Sequence, residues 1–536
     1  MTVHQFEDNA AKGAQGYAIN WDTAEARVKD LKAYLMNAPQ VMDPERLQFL
    51  NEVYEEFQGE PVFYIRAKLL ERVLTKKKIF LDGNPIVGTL TGTRAGVYAY
   101  PEWNVAWIKE EMQMAKMASL GEMKIPQETT ELLEKTYKKW KGRTCIDLNN
   151  KMFKDKYGFN PAPYSKAGVY YDNVSVASGS GIADYPLALN KGLRWVIDDI
   201  KKRLLECPTT LANKEKHDLY RAMIVATEAV IAHSHRYADL AEKTAETETD
   251  PKAKAELLEI AEICRRVPEF PARNFREAIQ SFWFIQQVLQ IESSGHSISP
   301  GRFDQYMYPY YEKDLKEGSL TREYAQELID CIWVKLNDLN KCRDAASAEG
   351  FAGYSLFQNL IVGGQTVQGR DATNDLSFMC ITASEHVFLP MPSLSIRVWH
   401  GSSKALLMRA AELTRTGIGL PAYYNDEVII PALVHRGATM DEARNYNIIG
   451  CVEPQVPGKT DGWHDAAFFN MCRPLEMVFS NGYDNGEIAS IQTGNVESFQ
   501  SFDEFMEAYR KQMLYNIELM VNADNAIDYA HAKLAP

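Results

Sequence analysis

Residues 447–465 read Asn447-Ile-Ile-Gly-Cys-Val-Glu-Pro-Gln-Val-Pro-Gly-Lys-Thr-Asp-Gly-Trp-His-Asp465. The apolar start predicts a buried β-strand, and the prolines and glycines after it predict an irregular loop. Cys451 therefore stands where a strand opens onto a loop, a place that a substrate can reach. Alternate residues of an extended strand share a face, so the carboxylate of Glu453 is expected at the same cavity as the Cys451 sulfur.

The pairing of a thiol with a carboxylate restricts the chemistry. A neighbouring negative charge raises the pKa of a thiol, which disfavours the thiolate that nucleophilic cysteine enzymes use. The pair suits a reaction in which neutral sulfur exchanges a hydrogen atom while the acid moves a proton. The alternative interpretation is a buried cysteine near a loop acid, and the spacing of Cys451 and Glu453 leaves both readings open.

The sequence on either side of this loop alternates between strand-like and helix-like patterns. Strand-like runs fall at 355–362, 394–399, 422–430 and 446–453, and helical patterns at 371–387, 402–416, 430–444 and 464–481. This alternation is typical of an α/β layered fold or barrel. The first half of the chain is mostly helical by periodicity, with helices predicted at 63–78, 187–206, 213–243, 251–266 and 272–292. A last helix is predicted at 502–532.

The composition of the 536 residues excludes several classes of function. There are 59 Lys+Arg against 72 Asp+Glu, a net charge of −13, which argues against binding to nucleic acid or to an anionic membrane surface. No apolar stretch approaches the roughly 18 residues that span a bilayer, and the N-terminus has no secretory signal. The eight cysteines are scattered without metal-ligand spacing, so we expect no metal site and a cytoplasmic location.

Several segments together resemble the glycyl radical enzymes, the pyruvate formate-lyase-like superfamily. Gly450-Cys-Val-Glu453 looks like the family's thiyl-radical loop. Further resembling segments occur in the family's order at 295–306 (GHSISPGRFDQY), 358–364 (QNLIVGG), 392–397 (PSLSIR) and 419–427 (GLPAYYNDE). The similarity covers the chain from about residue 25 to its end.

The resemblance implies an α/β fold, a ten-stranded barrel made of two five-stranded half-barrels with the cysteine loop at its centre. One pyruvate formate-lyase-like domain is expected over 1–536, with a helical N-terminal part at about 1–345 and a Cys-loop half-barrel part at about 346–536. The family's C-terminal Arg-Val-x-Gly-Tyr-like motif, which holds the radical glycine, has no counterpart here. We therefore expect the glycine radical domain to be absent, the barrel to be incomplete at the C-terminus, and the chain to be inactive alone.

The resemblance also implies a reaction and its partners. A thiyl radical on Cys451 removes a hydrogen atom from a substrate carbon, and Glu453 exchanges a proton with a substrate hydroxyl. This chain is expected to bind no cofactor itself. The required glycyl radical is installed by a separate radical-SAM activating enzyme, and relatives are usually homodimers.

The residue before the cysteine sorts the members of the family. Pyruvate formate-lyase has two adjacent cysteines, whereas Gly450 precedes Cys451 here, which argues against acyl transfer from pyruvate. The loop resembles those of the dehydratase, choline lyase, sulfonate lyase and arylacetate decarboxylase branches. We expect a lyase or dehydratase that cleaves a C–O or C–X bond of a small hydroxylated substrate. The alternatives are an arylacetate-type decarboxylase and a non-catalytic chain completed by a separate radical-bearing subunit.

The substrate-binding candidates follow from the same resemblance. Asp465 matches an acid that holds a substrate hydroxyl in diol dehydratases. Ser297 lies where those enzymes place a substrate-contacting serine, with Ser299 as its competitor. Ser180 stands where diol dehydratases have histidine and choline lyase has aspartate, which argues against glycerol, propanediol or choline as substrate. No arginine occurs in 170–180, so a sulfonate clamp is not expected.

The remaining candidates have equally ordinary structural explanations. Phe357 falls where relatives have an aromatic wall, and core packing explains it as well. Tyr170 and Asp172 are candidate pocket groups or structural residues. His464, beside Asp465, reads more readily as a structural histidine than as a substrate contact.

Overall fold

The computed structural model describes residues 25–111, 123–158, 168–172, 181–295, 297–342, 356–460 and 467–534. The chain divides into two compact units that interleave along the sequence. The first unit takes in 1–99, 111–133 and 179–462, and the second takes in 100–110, 134–178 and 463–536. The cysteine loop belongs to the first unit.

Helices dominate the described residues. Their bounds are Ala26–Asn37, Glu45–Glu56, Val62–Lys76, Ala106–Glu111, Gln127–Trp140, Cys145–Tyr157, Tyr185–Glu206, Lys214–Thr247, Pro251–Arg266, Phe275–Glu292, Phe303–Glu317, Arg322–Leu336, Asp375–Val387, Lys404–Arg415, Asp426–His435, Met440–Arg444, Arg473–Phe479 and Phe502–Leu534. The six helices predicted before residue 300 and at the end of the chain are confirmed, with ends shifted by a few residues. No helix among the described residues is long and apolar enough to cross a membrane.

The strands are short. In chain order they are β1 (Val41–Met42), β2 (Gly96–Tyr98), β3 (Tyr170–Asp172), β4 (Asn340–Lys341), β5 (Asn359–Gly363), β6 (Ser393–Val398), β7 (Ala422–Asn425), β8 (Asn447–Ile449), β9 (Glu453–Gln455), β10 (Ala467–Phe469), β11 (Tyr483–Asp484) and β12 (Glu487–Ile488). In the first unit, β1, β2 and β4 form one parallel sheet, β5, β6 and β7 form another, and β8 pairs antiparallel with β9.

The helical part of the first unit packs around Phe275–Glu292. Asn274 caps this helix by accepting the Glu277 N–H at 2.8 Å, and nearly all of its side chains are buried. Buried glutamines on it satisfy neighbouring backbone groups: Gln280 accepts the Val87 N–H and donates to the Val87 carbonyl. Such pairing lets amide side chains occupy a core without unmatched polar atoms.

The parallel sheet β5–β6–β7 positions the cysteine loop. Helices Asp375–Val387 and Lys404–Arg415 connect its strands, as crossovers between parallel strands require. Ile361 of β5 and Ile448 of β8 share a buried cluster with Tyr446, so the hairpin β8–β9 is seated against this sheet. The alternation predicted for this region is therefore confirmed.

Three of the predicted boundaries in this region are wrong. The run 422–430 is a strand only in β7, because the Asn425 side chain accepts the Glu427 N–H at 2.9 Å and starts a helix at Asp426. The helix predicted at 430–444 is two helices, separated by Gly437 and a cap at Thr439. The helix predicted at 464–481 is confined to Arg473–Phe479 and follows β10.

A buried ion pair joins β6 to the helix that follows β7. Arg397 donates from Nε and Nη2 to the two carboxylate oxygens of Asp426, at 2.7 and 2.9 Å, and neither residue is exposed. Its Nη1 donates to the carbonyls of Arg444 and Tyr446 at 2.9 and 3.1 Å, and its guanidinium lies 4.0 Å from the centre of the Tyr446 ring. A Cβ at Gly364 would come within 2.5 Å of Arg397 Nε, which explains the second glycine of the segment 358–364.

The second unit has its own core. Helices Cys145–Tyr157 and Phe502–Leu534 enclose Phe153 and Leu519. The capping box of Thr144 and Asp147 begins the first of these helices. Strand β3 pairs antiparallel with β10, and β11 pairs with β12.

Replacing Asp426 with Asn tests the buried ion pair. The variant leaves the Arg397 guanidinium buried without its counter-charge, so the free energy of unfolding should fall by about 3 kcal/mol. The loss is measured as a lower urea midpoint for the unfolding transition of the first unit, which contains Asp426. Asp199→Asn is the control, because it removes a half-buried partner of the exposed Arg203 and should leave that transition in place. Equal shifts in the two variants would contradict the structural role of Asp426.

Candidate active site around Cys451

Cys451 lies at the tip of a hairpin. Ile449 of β8 pairs with Glu453 of β9, so residues 450–452 form the turn between the two strands, and the Cys451 side chain is exposed. The extended geometry expected from sequence is therefore wrong, because Gly450 adopts φ +57° and reverses the chain. The turn, rather than strand alternation, carries Glu453 back beside the loop, where its Oε2 accepts the Val452 N–H at 3.1 Å.

Gly450 has no room for a side chain. A Cβ there would lie 2.6 Å from Ser297 Oγ and 3.1 Å from Glu453 Oε2, and φ is in the left-handed region. The Gly450 N–H donates to Ser299 Oγ at 3.0 Å. The glycine before the cysteine is thus required by local geometry.

The structure separates the two competing serines. Ser299 Oγ accepts the N–H groups of Gly450 and Asn359, both at 3.0 Å, and donates to the Ser297 carbonyl at 3.1 Å. Ser299 is therefore a structural hub. The hydroxyl of Ser297 lies beside Gly450 and has no hydrogen-bond partner in the described part of the chain. Of the two hydroxyls, that of Ser297 is available beside the loop.

The other predicted site residues are placed as follows. Phe357 is half-buried just before β5, and its carbonyl is 3.5 Å from Ser299 Oγ. Tyr170 and Asp172 are the ends of β3, in the second unit. Ser180, His464 and Asp465 lie outside the described residues.

Sequence reasoning missed Tyr424. This residue of β7 donates from its phenol to the Cys451 carbonyl at 2.7 Å. Burial, followed by the nearby Glu453 and Cys451, raises the pKa of Tyr424 to about 12. A signal was present, since Tyr424 lies in the segment 419–427 that carries the family resemblance, but 27 residues separate it from the cysteine.

Arg302, in the segment 295–306, was also missed. Its Nη2 donates to the carbonyls of Gly363 and Gln365 at 3.1 and 3.0 Å, and its Nη1 donates to the Arg444 carbonyl at 3.2 Å. Burial lowers the pKa of Arg302 to about 9, and the neighbouring Arg397 adds to the effect. Arg302 thus ties the end of β5 to the segment that enters β8.

Two cysteines differ from the rest by exposure. Cys451 and Cys472 are exposed, whereas the other six are buried or half-buried, and no disulfide joins any of the eight. Burial raises the pKa of Cys264 to about 12 and that of Cys380 well above its usual range, so these thiols are inert. In the described residues no group of His, Cys, Asp and Glu side chains could hold a metal ion.

Known proteins resemble this chain along almost all of its length. Residues 20–536 match a family model described as pyruvate formate lyase-like. A solved structure on 1,2-propanediol dehydration in Roseburia inulinivorans shares 64% identity with a TM-score of 0.91, covering 96% of this chain and 64% of that chain. The glycerol-bound B12-independent glycerol dehydratase from Clostridium butyricum shares 43% identity with a TM-score of 0.90, covering 97% and 66%.

Curated relatives give the same picture at lower identity. The (2S)-3-sulfopropanediol dehydratase of Klebsiella oxytoca is 31% identical over 548 residues, which cover 99% of this chain and 65% of the relative. The indoleacetate decarboxylase of Tractidigestivibacter scatoligenes is 27% identical and covers 88% and 58%. The chain thus spans slightly less than two thirds of the length of the relatives first matched.

Gly450→Ala tests the packing of the turn. Any alanine at positive φ costs about 1 kcal/mol of strain, and at this position the collision with Ser297 should add at least as much again. Gly417→Ala is the matched control, because Gly417 has φ +81° with nothing near its Cβ position. Urea unfolding should show the larger loss for Gly450→Ala; equal losses would mean that the turn accommodates a side chain.

Proposed function

Since this chain belongs to the pyruvate formate lyase-like family, we propose that it carries the thiol site of a glycyl radical lyase or dehydratase acting on a small hydroxylated substrate. Its solved relatives include a glycyl radical enzyme from Archaeoglobus fulgidus, at 29% identity and a TM-score of 0.88. The α/β fold of the glycyl radical enzymes, expected from the sequence, is confirmed by this relative and by the two dehydration structures.

The observation that carries the proposal is the arrangement of Cys451 and Glu453. The thiol is exposed at the tip of the turn, and the Glu453 carboxylate accepts the Val452 N–H of the same turn. A thiol and a carboxylate on one turn suit hydrogen-atom transfer by neutral sulfur. A glycyl radical, installed by a separate activating enzyme, would supply the unpaired electron that makes the Cys451 thiyl.

The residues of this chain then act in order. The Cys451 sulfur takes a hydrogen atom from the carbon that bears one hydroxyl, and Glu453 takes the proton of that hydroxyl. The carbon–oxygen bond at the neighbouring carbon breaks, and the departing hydroxide leaves as water with the proton from Glu453. The Cys451 S–H returns a hydrogen atom to the carbon radical that remains. A vicinal diol is thereby converted to an aldehyde and water.

The choice of a hydroxylated substrate is supported by the site and by the relatives. The available hydroxyl of Ser297, beside Gly450 in the turn, can hydrogen-bond a substrate hydroxyl. The relatives concerned with propanediol and glycerol, at 64% and 43% identity, favour a vicinal diol as the first substrate to assay. Ser180, the residue that argued against such substrates, lies outside the described residues, so that argument stays a prediction.

The alternatives have less support. An arylacetate-type decarboxylation is disfavoured because the decarboxylase relative is more distant, at 27% identity. A chain completed by a separate radical-bearing subunit stays a prediction. So do the activating enzyme, the homodimer, the cytoplasmic location, the two-part domain division and the roles of Asp465, His464, Phe357 and Tyr170.

A deuterium experiment separates the roles of Cys451 and Glu453. The chain is combined with a polypeptide that supplies the glycyl radical, activated anaerobically, and given 1,2-propanediol deuterated at C1. Loss of deuterium to water reports hydrogen abstraction through the exchangeable thiol, and aldehyde formation reports elimination. Cys451→Ser should abolish both, whereas Glu453→Gln should retain deuterium loss and reduce aldehyde formation by about 100-fold.

Cys472→Ser is the control for loss of an exposed thiol and should behave as the unmodified chain. Turnover by Cys451→Ser would overturn the proposed function. Aryl-methyl product from an arylacetate, with no aldehyde from the diol, would favour the decarboxylase instead.

A further inference from the structure

We propose that Tyr424 is a positioning residue for Cys451, and that its phenol holds the turn in the single orientation in which the thiol can react. The inference deepens the proposed function and rests on it for the use of the thiol. The hydrogen bond from Tyr424 to the Cys451 carbonyl is observed in the structure and does not depend on that function.

The turn is held from both sides. On one side the Gly450 N–H is bound by Ser299 Oγ at 3.0 Å, and on the other the Cys451 carbonyl is bound by Tyr424 Oη at 2.7 Å. The first group belongs to the peptide unit before Gly450 and the second to the peptide unit after Cys451, so together they restrain the two-residue segment that carries the Cys451 Cα. That atom sets the direction in which the side chain leaves the backbone.

Tyr424 is placed by the strand that carries it. In the pairing of β6 with β7 it is the register partner of Arg397, and Ala422, two residues earlier on β7, is the register partner of Ser395. The side chains of Ser395 and Tyr424 therefore share one face of the sheet. Asn359 of β5 donates from Nδ2 to Ser395 Oγ at 2.9 Å, which ties β5 to β6 on that face.

The two contacts on the turn both lead to the same sheet. The Asn359 N–H donates to the same Ser299 Oγ that accepts the Gly450 N–H, so Ser299 ties the turn to β5. Tyr424 ties the turn to β7. Because β5, β6 and β7 form one sheet, the turn can change its orientation only by breaking one of these two contacts.

The phenol remains a donor at all physiological pH values. Burial and the nearby Glu453 and Cys451 raise the pKa of Tyr424 to about 12, so the O–H is retained well above neutral pH. The neighbouring Tyr423 differs from Tyr424 in its exposure and in its hydroxyl contact. It is exposed, and its hydroxyl is 3.4 Å from Thr414 Oγ1.

Tyr424→Phe removes one hydroxyl and keeps the ring, and Tyr423→Phe is the matched control. Iodoacetamide is applied to the intact chain at neutral pH, and alkylation of Cys451 and of Cys472 is followed by mass spectrometry of their peptides. The exposed Cys472 is an internal standard. In Tyr424→Phe the ratio of the Cys451 rate to the Cys472 rate should rise at least threefold, and amide hydrogen exchange over 450–452 should accelerate by a similar factor. Tyr423→Phe should change neither.

Ser299→Ala is a second variant, which leaves Tyr424 in place, removes the acceptor of the Gly450 N–H and should change the same two measurements in the same direction. In the reconstituted enzyme Tyr424→Phe should lower kcat about tenfold with KM retained, because substrate contacts are unchanged. An unchanged alkylation ratio or unchanged amide exchange in a folded Tyr424→Phe protein would overturn the inference. If instead Cys451→Ser proves active, the proposed function fails. The alkylation and exchange measurements then still test, independently, whether Tyr424 positions the turn.

Discussion

The buried ion pair of Arg397 and Asp426 is the contact on which the geometry of the cysteine loop depends. It crosses from β6 to the helix after β7 and leaves one guanidinium nitrogen to hold the carbonyls of Arg444 and Tyr446. Those carbonyls immediately precede β8, so the ion pair fixes where the hairpin starts. The position of the turn at residues 450–452 depends on where the hairpin starts.

Such a pair is costly to bury, and the surrounding contacts show how the cost is offset. Removing two charges from water costs several kcal/mol per ion, which Coulomb attraction repays only with good geometry and further hydrogen bonds. The Tyr446 hydroxyl donates to Asp426 Oδ1 at 2.9 Å, and its ring stacks on the guanidinium. A second buried cation, Arg302, shares the Arg444 carbonyl. The arrangement specifies one register for the segment rather than adding much net stability.

The sequence indicated the parts of this site that depend on local pattern and missed those that depend on distant contacts. Helix periodicity located Phe275–Glu292 and its neighbours, because one buried stripe repeats along each helix. The pairing of Cys451 with Glu453 was predicted from strand alternation, which does not hold here because Gly450 makes a turn. Tyr424 could not be found from periodicity, because its contact with the loop is set by the packing of β7 beside the hairpin.

The glycine before the cysteine connects the packing of the turn to the type of reaction. The resemblance to pyruvate formate-lyase would place a second cysteine at position 450, and the structure gives a physical reason why none stands there. A side chain at 450 would meet Ser297 Oγ at 2.6 Å and would need a left-handed backbone. Ser297 and a second thiol therefore exclude each other at this turn. Under the proposed function, the hydroxyl that the glycine leaves in place beside the turn is the group that would bind a substrate hydroxyl, whereas a second thiol there would serve acyl transfer.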